Sequence, residues 1–203
     1  MQPYGCWLVA WHKRELNATS WLLISAMGGC ASLVGVDIRR LTPADVTAYR
    51  ALRLEGLREA PTAFAASYDE EVAFPLSIYE GWLGAPPDRG TLGAFDGDAL
   101  VGIATLGRES RSKLAHKAHI LGMYVRADCR GRGIAAALLA SAIALARRSA
   151  AIRQINVTAN AGNAAARRLY VAAGFREFGL EPRSLQIDGA WYDEVHMRLD
   201  LDE

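Results

Sequence analysis

The sequence predicts an α/β (α+β) domain built on a mixed, mostly antiparallel β-sheet with helices on both faces. Two observations support this class. Strand-like apolar runs and helical patterns alternate in the order βααβββαβαββ, and the pairs Asp96-Gly97 and Asp188-Gly189 are typical of hairpin turns. The chain has 203 residues and is 51% hydrophobic, which is enough to bury the core of a single domain.

The first elements are a strand and two helices. We expect the strand at Val36 to Leu41. The motif Thr42-Pro43-Ala44-Asp45 then marks a helix start, because threonine caps helices, proline is favoured at the first helical position and aspartate favours the helix dipole. This helix should run to about Glu59, and a second, shorter helix should lie between Pro75 and Leu83.

Two hairpins account for most of the remaining strands. The first Asp-Gly pair joins strands expected at Thr91–Phe95 and Leu100–Leu106. The second joins strands expected at Phe178–Ile187 and Trp191–Leu199. Between the hairpins, Ala118 to Val125 is a further strand that leads into a polar loop.

This polar loop contains Arg130-Gly131-Arg132-Gly133 and is followed by an alanine- and leucine-rich helix, Ile134 to Arg148. Glycine lets the backbone approach a ligand without a Cβ clash. The start of a helix offers free N–H groups and the positive end of a dipole, which together favour phosphate. Since Arg130 and Arg132 add positive charge, the pattern predicts a pyrophosphate-binding loop.

Two other phosphate-binding motifs fit this chain less well. A Gly-x-x-x-x-Gly-Lys-Ser/Thr loop does not occur in the sequence. The run Gly131-x-Gly133-x-x-Ala136 matches the dinucleotide fingerprint formally, but Arg126 to Arg130 separate it from the preceding strand. That fingerprint also requires an acid about twenty residues further on, whereas residues 129 to 176 contain no Asp or Glu. A nicotinamide-linked oxidoreductase is therefore disfavoured.

A second motif follows the loop helix. Ile152 to Thr158 is rich in β-branched residues and predicts a strand. A helix comes next, which Asn163 can cap and Gly174 can end. One face of this helix presents residues at three- and four-residue spacing: Ala166, Leu169, Tyr170 and Ala173.

The two motifs together resemble those of the GNAT superfamily of N-acetyltransferases. Arg130-x-x-Gly133-x-Ala135 is similar to the family's Arg/Gln-x-x-Gly-x-Gly/Ala loop, which binds acetyl-coenzyme A. The second motif resembles its Asn-x-x-Ala-x-x-Leu-Tyr-x-x-x-Gly-Phe helix, here Asn163, Ala166, Leu169, Tyr170, Gly174 and Phe175. The order of elements also agrees with this family, so the resemblance covers about residues 36 to 200.

The resemblance implies a site for acetyl-coenzyme A as acetyl donor, with no metal. In GNAT enzymes the strand before the loop splays from its parallel neighbour, and the pantetheine arm fills the gap. A bulge at Gly122 would suit that splay. The implied cofactor-binding residues are Met123, Val125, Arg130, Gly131, Arg132, Gly133, Ile134, Ala135 and Asn163.

Tyr170 is the implied catalytic residue, because the family often has a tyrosine here as general acid for the thiolate of coenzyme A. A core tyrosine on an amphipathic helix is the alternative, and Asn163 fits a helix cap as well as a cofactor contact. The sequence assigns no general base. The candidates, beside a chain of water molecules, are His116, His119, Asp69, Glu70, Glu71, Tyr192 and Glu194.

Charge is unevenly distributed although the net charge is only +1. Residues 126 to 176 contain nine arginines and one acid, which suits an anionic cofactor, whereas residues 59 to 98 contain eight acids and one base. The acidic region is either ordinary surface or an attraction for a cationic amine acceptor. We expect no nucleic-acid partner, because the arginines fall largely in the cofactor region without an aromatic-rich basic strand.

The three cysteines form no Cys-x-x-Cys pair, so neither a zinc site nor a disulfide framework is expected. This pattern suits a reducing compartment, and we expect a cytoplasmic location. Residues 1 to 35 are predicted to be an N-terminal extension before a domain at 36–203. For an export signal, the basic pair Lys13-Arg14 begins too late and the apolar run Trp21 to Met27 is too short. This run is also too short to span a membrane. We expect the extension to be poorly ordered, to pack on the domain or on a second subunit of a homodimer, or to be absent from the natural protein, as when translation begins at Met27.

These observations favour an acetyl-coenzyme A-dependent N-acetyltransferase that moves an acetyl group to a primary amine by direct attack in a ternary complex. The acceptor is a small molecule or a peptide N-terminus. A sensor or regulatory domain that binds acyl-coenzyme A without turnover is the alternative, since it would keep the loop and need neither a base nor Tyr170.

Overall fold

The computed structural model describes residues 35–202. Its strands are β1 (Val36–Arg40), β2 (Gly90–Asp96), β3 (Ala99–Arg108), β4 (Lys117–Val125), β5 (Gln154–Asn160), β6 (Arg176–Ile187) and β7 (Ala190–Asp200). Its α-helices are α1 (Val46–Glu59), α2 (Tyr68–Val72), α3 (Leu76–Leu83), α4 (Ile134–Arg147) and α5 (Ala164–Ala172). The predictions for the N-terminal extension lie outside the described residues, except at Gly35.

The strands form one seven-stranded sheet in the order β1-β2-β3-β4-β5-β7-β6. Every neighbouring pair is antiparallel except β4 and β5. The predicted fold class, a mixed and mostly antiparallel sheet with helices, is confirmed. The sequence prediction missed α2, whose start is a capping box in which Ser67 and Glu70 bond to each other's backbone.

The β4–β5 pairing is short, which leaves a gap between the two strands where the candidate site lies. Only four register pairs join the two strands, from Lys117 with Gln154 to Ile120 with Val157. Beyond Ile120, the β3–β4 register shifts by one residue, and Gly122 has φ +57°. The expected bulge is therefore present, and β4 continues past Ile120 without recorded pairing to β5.

Helices cover both faces of the sheet. On one face, α4 and α5 bury an apolar core against the sheet, through residues such as Leu138, Leu139, Ala142, Ile155, Val157 and Tyr170. On the other face, α1 and α3 form a second core through residues such as Leu52, Leu57, Tyr79, Leu83, Ile103 and Tyr124. Among the described residues no helix is long and apolar enough to cross a membrane.

Candidate functional site

The loop between β4 and α4 adopts a backbone that suits its glycines. After a single 3-10 turn at Ala127–Cys129, Gly131 has φ +77° and Gly133 has φ +80°, both in the left-handed region. A Cβ added at Gly131 would meet no atom within 4 Å, so space is open there. Gly133 is the N-cap of α4 and provides no capping side chain. The first N–H groups of α4 therefore remain available to an anion.

The two predicted arginines of the loop form ion pairs. Arg130 donates from Nε to the carbonyl oxygen of Val125 at 3.0 Å, and its Nη2 lies 2.8 Å from Glu59 Oε1. Arg132 Nη1 lies 2.6 Å from Asp96 Oδ2. These pairs fix the loop to β4, α1 and β2. An incoming phosphate would have to compete with these carboxylates for either guanidinium, whereas the first N–H groups of α4 are not capped by a side chain.

Tyr124 connects the loop to α1, a link that the sequence prediction missed. Its hydroxyl contacts the carboxylate of Glu59 and lies 3.0 Å from Glu55 Oε1, so its one hydrogen is donated between two acceptors. Burial, followed by the contacts with these two carboxylates, raises the pKa of Tyr124 well above its ordinary value, which keeps the phenol protonated. The i, i+4 spacing of the two glutamates on α1 was the available sequence signal.

Two adjoining cavities occupy the gap where β4 and β5 part. The larger is a cleft of about 400 Å³ whose lining includes Val125, Arg130, Ala135, Asn163, Leu169 and Tyr170. The smaller, of about 80 Å³, is lined by Ile120, Gly122, Met123, Val157, Thr158, Asn160 and Tyr170, among others. We call the two cavities together the wedge. It runs from the glycine loop to the end of the β4–β5 pairing.

Tyr170 forms part of the wall of the wedge. The side chain is 5% exposed, and its hydroxyl lies 3.6 Å from the sulphur of Met123. Burial raises the pKa of Tyr170 to about 12, so the phenol holds its proton throughout the physiological range. This is the protonation state that a general acid requires. Its ring also packs against Phe175, so the residue serves the core as well.

Asn163 lies at the same wall and caps α5, with its Oδ1 accepting from the N–H of Ala166 at 3.0 Å. The structure thus brings Asn163, Ala135 and Val125 to the larger cleft and Met123 to both cavities. Gly131, Arg132, Gly133 and Ile134 follow in the loop and first turn of α4. Residues from β4, α4 and the start of α5 therefore line adjoining cavities, and their assignment to a cofactor stays a prediction.

Most of the general-base candidates have other partners. Glu71 is 3% exposed and forms a buried ion pair with Arg53, at 2.6 Å between Oε1 and Nη2. Glu70 belongs to the capping box of α2, and His119 Nε2 lies 3.1 Å from Glu109 Oε1. Glu194 accepts a hydrogen bond from Ser184.

Two further candidates lie in or beside neighbouring strands. His116 gives its carbonyl oxygen to the N–H of Arg153. Tyr192 pairs with Leu185 in the last hairpin. Asp69, another candidate, lines a separate cleft of about 350 Å³ between the segment before α2 and the end of β6.

His196 was not among the predicted candidates for the general base, yet its ring contacts both a hydroxyl and a carboxylate. On β7 it lies beside Thr158, with Oγ1 and Nδ1 3.1 Å apart. Its Nε2 lies 3.0 Å from Glu181 Oε2 on β6. Only strand register brings these residues together, and register was not predicted from the sequence. In the part of the chain that the structure describes, no group of three or more His, Cys, Asp or Glu residues could hold a metal ion.

The comparison with family models matches residues 49–175 to the acetyltransferase (GNAT) family. The chain belongs to the GNAT acetyltransferase family. It is an acetyltransferase whose matched region contains the glycine loop, β5 and the α5 motif. No curated protein sequence matches the chain.

Solved GNAT structures have the same fold. A GNAT acetyltransferase from Streptococcus pneumoniae shares 23% identity with a TM-score of 0.74, covering 81% of this chain and 98% of that one. A ribosomal-protein-alanine N-acetyltransferase from Brucella melitensis shares 27% identity with a TM-score of 0.69, covering 81% and 99%. A phosphinothricin acetyltransferase from Sinorhizobium meliloti, solved in complex with acetyl-coenzyme A, shares 20% identity with a TM-score of 0.68, covering 82% and 89%.

Proposed function

We propose that this GNAT protein is an acetyl-coenzyme A-dependent N-acetyltransferase that acetylates a primary amine in a ternary complex. One observation supports this proposal above the others. Arg130 and Ala135, which flank the left-handed glycines at the start of α4, line the larger cavity of the wedge, and Tyr170 lies in the wall of both cavities. An anion-binding loop beside a cleft that is lined by a buried phenol is what this chemistry needs.

The fit of acetyl-coenzyme A rests on the backbone of this chain. The N–H groups from Arg130 to Ala135 would hold the pyrophosphate, because Gly131 leaves open space and α4 begins without a capping side chain. Backbone groups of Met123 and Val125 would orient the pantetheine arm in the gap beside β4. The bound molecule supplies the acetyl thioester. The protein's own contribution is positioning and proton transfer.

Tyr170 would give its proton to the sulphur of the departing coenzyme A. Its hydroxyl lies in the wedge 3.6 Å from the sulphur of Met123, and it would exchange this weak contact for the departing thiolate. Asn163 would contact the arm while it caps α5. We also propose a cytoplasmic location, because acetyl-coenzyme A is a cytosolic metabolite.

Release of free thiol with a panel of amines tests this function. The panel should include a peptide with N-terminal alanine and phosphinothricin, because two structural neighbours are named for those substrates. A thermal-shift series with acetyl-coenzyme A, coenzyme A and NADH accompanies it. We expect stabilisation by both coenzyme A species and amine-dependent thiol release. Stabilisation without release for any amine would favour the sensor alternative, and stabilisation by NADH alone would overturn both.

A further inference from the structure

A chain of hydrogen bonds leads from the wedge across the sheet. Thr158 lines the smaller cavity of the wedge together with Met123 and Tyr170, and its side chain is exposed. It is the direct register partner of His196 on β7, 3.1 Å away between Oγ1 and Nδ1. His196 in turn contacts Glu181 of β6, at 3.0 Å between Nε2 and Oε2. Three strands therefore each contribute one member of the chain.

The direction of these bonds follows from their chemistry. An ionised carboxylate can only accept, so the contact with Glu181 requires a hydrogen on Nε2 of His196. A neutral imidazole then has its lone pair on Nδ1, and the hydroxyl of Thr158 donates to it. The lone pairs of the Thr158 oxygen remain available to a donor in the cavity. This is the arrangement of a base oriented by a third group.

The surroundings of His196 support an oriented ring. The ring of Phe178 lies against it, with centroids 6.0 Å apart. Glu194, two residues away on β7, accepts from Ser184, and Arg198 pairs with Asp200. Of these carboxylates, Glu181 is the one that contacts the imidazole of His196.

We propose that Thr158, His196 and Glu181 form the proton relay that neutralises the acceptor ammonium; this inference rests on the proposed function. The ammonium gives one proton to Oγ1 of Thr158 as the hydroxyl proton passes to Nδ1 of His196, and Glu181 stabilises the imidazolium. The neutral nitrogen attacks the thioester carbon, and the C–S bond breaks. Tyr170 gives its proton to the departing sulphur, and the second nitrogen proton passes to the Tyr170 phenolate as the amide forms, which restores the phenol. The imidazolium returns its proton to water.

A matched pair of acceptors tests the relay. Ethylamine is protonated at pH 7.5, whereas 2,2,2-trifluoroethylamine is largely neutral and needs no base. We expect His196→Gln and Thr158→Val to lower kcat/KM for ethylamine about 10²-fold or more, and for trifluoroethylamine less than tenfold, after subtraction of the enzyme-free rate. Thr158→Ser, which keeps the hydroxyl, should stay within about threefold of the wild type.

The controls separate this inference from the proposed function. Thr105→Val removes the hydroxyl of another strand threonine, which lies 2.9 Å from Thr91 Oγ1 and does not line the wedge, and it should leave both acceptors unaffected. Calorimetric affinity for acetyl-coenzyme A should stay unchanged in all variants. An equal loss for the two amines, or no loss, would overturn the relay while leaving the proposed function intact. A wild-type protein that binds acetyl-coenzyme A but acetylates neither these amines nor the wider panel would overturn the proposed function and, with it, the relay.

Discussion

At the scale of single residues, Gly133 combines two demands. It is the last residue before α4, and its φ of +80° lies where residues with a Cβ are strained. It is also adjacent to the N–H groups that we assign to the pyrophosphate. A side chain at this position would therefore enter the ligand's space and strain the helix start at once.

We expect Gly133→Val to weaken acetyl-coenzyme A binding by well over tenfold, which corresponds to more than about 1.4 kcal/mol. Isothermal titration calorimetry on the folded variant measures this. Gly189→Val is a matched control, because Gly189 has φ +79° in the last hairpin with no atom within 4 Å of an added Cβ. The Gly189→Val protein should have similar backbone strain but bind acetyl-coenzyme A with the affinity of the wild type. Normal affinity in a folded Gly133→Val protein would remove the loop from the site.

Tyr170→Phe is expected to lower turnover about 10²–10⁴-fold while acetyl-coenzyme A affinity changes little. The hydroxyl is removed, whereas the ring packing with Phe175 stays. Steady-state kinetics under conditions where chemistry limits the rate provide the measurement. Tyr79→Phe is the control, since it removes another buried hydroxyl, which donates to the Glu71 carbonyl at 2.7 Å. Full activity of Tyr170→Phe would assign the residue to the core alone.

At the scale of secondary structure, local chemistry predicted most elements. The Thr-Pro-Ala-Asp motif and the Asp-Gly turns act through neighbouring residues, so their signals are present in the sequence. The short helix α2 was missed because five residues give too little periodicity, although its capping box was present. The relay of Thr158, His196 and Glu181 depends on strand register across β5, β7 and β6, which no local pattern specifies.

The start of α1 offers a test of element stability. Asp45 accepts from the Thr42 N–H at 2.8 Å and contacts Arg39 at 2.6 Å between Oδ1 and Nη2. The hydrogen bond to Arg39, with those to Thr42, holds the pKa of Asp45 well below its ordinary value. A depressed pKa means that the ionised carboxylate stabilises the folded protein above pH 4 and that this contribution is lost as the pH falls towards the folded pKa.

We therefore expect Asp45→Asn to reduce the free energy of unfolding at pH 7 by about 1 kcal/mol, typical of a lost cap. The difference from the wild type should shrink progressively below about pH 4. Urea unfolding at several pH values provides the measurement. Asp98→Asn, which changes an exposed carboxylate in the turn between β2 and β3, should cause no comparable change. A difference that persists in strong acid would contradict the assignment.

At the scale of the whole molecule, the proposed boundary at residue 36 makes a further prediction. A protein that begins at Val36 should fold and bind acetyl-coenzyme A with an affinity within about twofold of the full chain, because every proposed cofactor contact lies beyond Gly122. Circular dichroism and calorimetry on the two proteins make the comparison. A truncated protein that is folded but does not bind would show that the first 35 residues shape the site.

The four register pairs between β4 and β5 have a mechanical consequence. They divide the sheet into two antiparallel blocks, β1–β4 and β5–β7, joined along their shortest hydrogen-bonded border. A molecule bound in the wedge would contact both blocks and extend the interface between them beyond the four register pairs. Ligand binding should therefore stabilise the sheet against separation of β4 from β5.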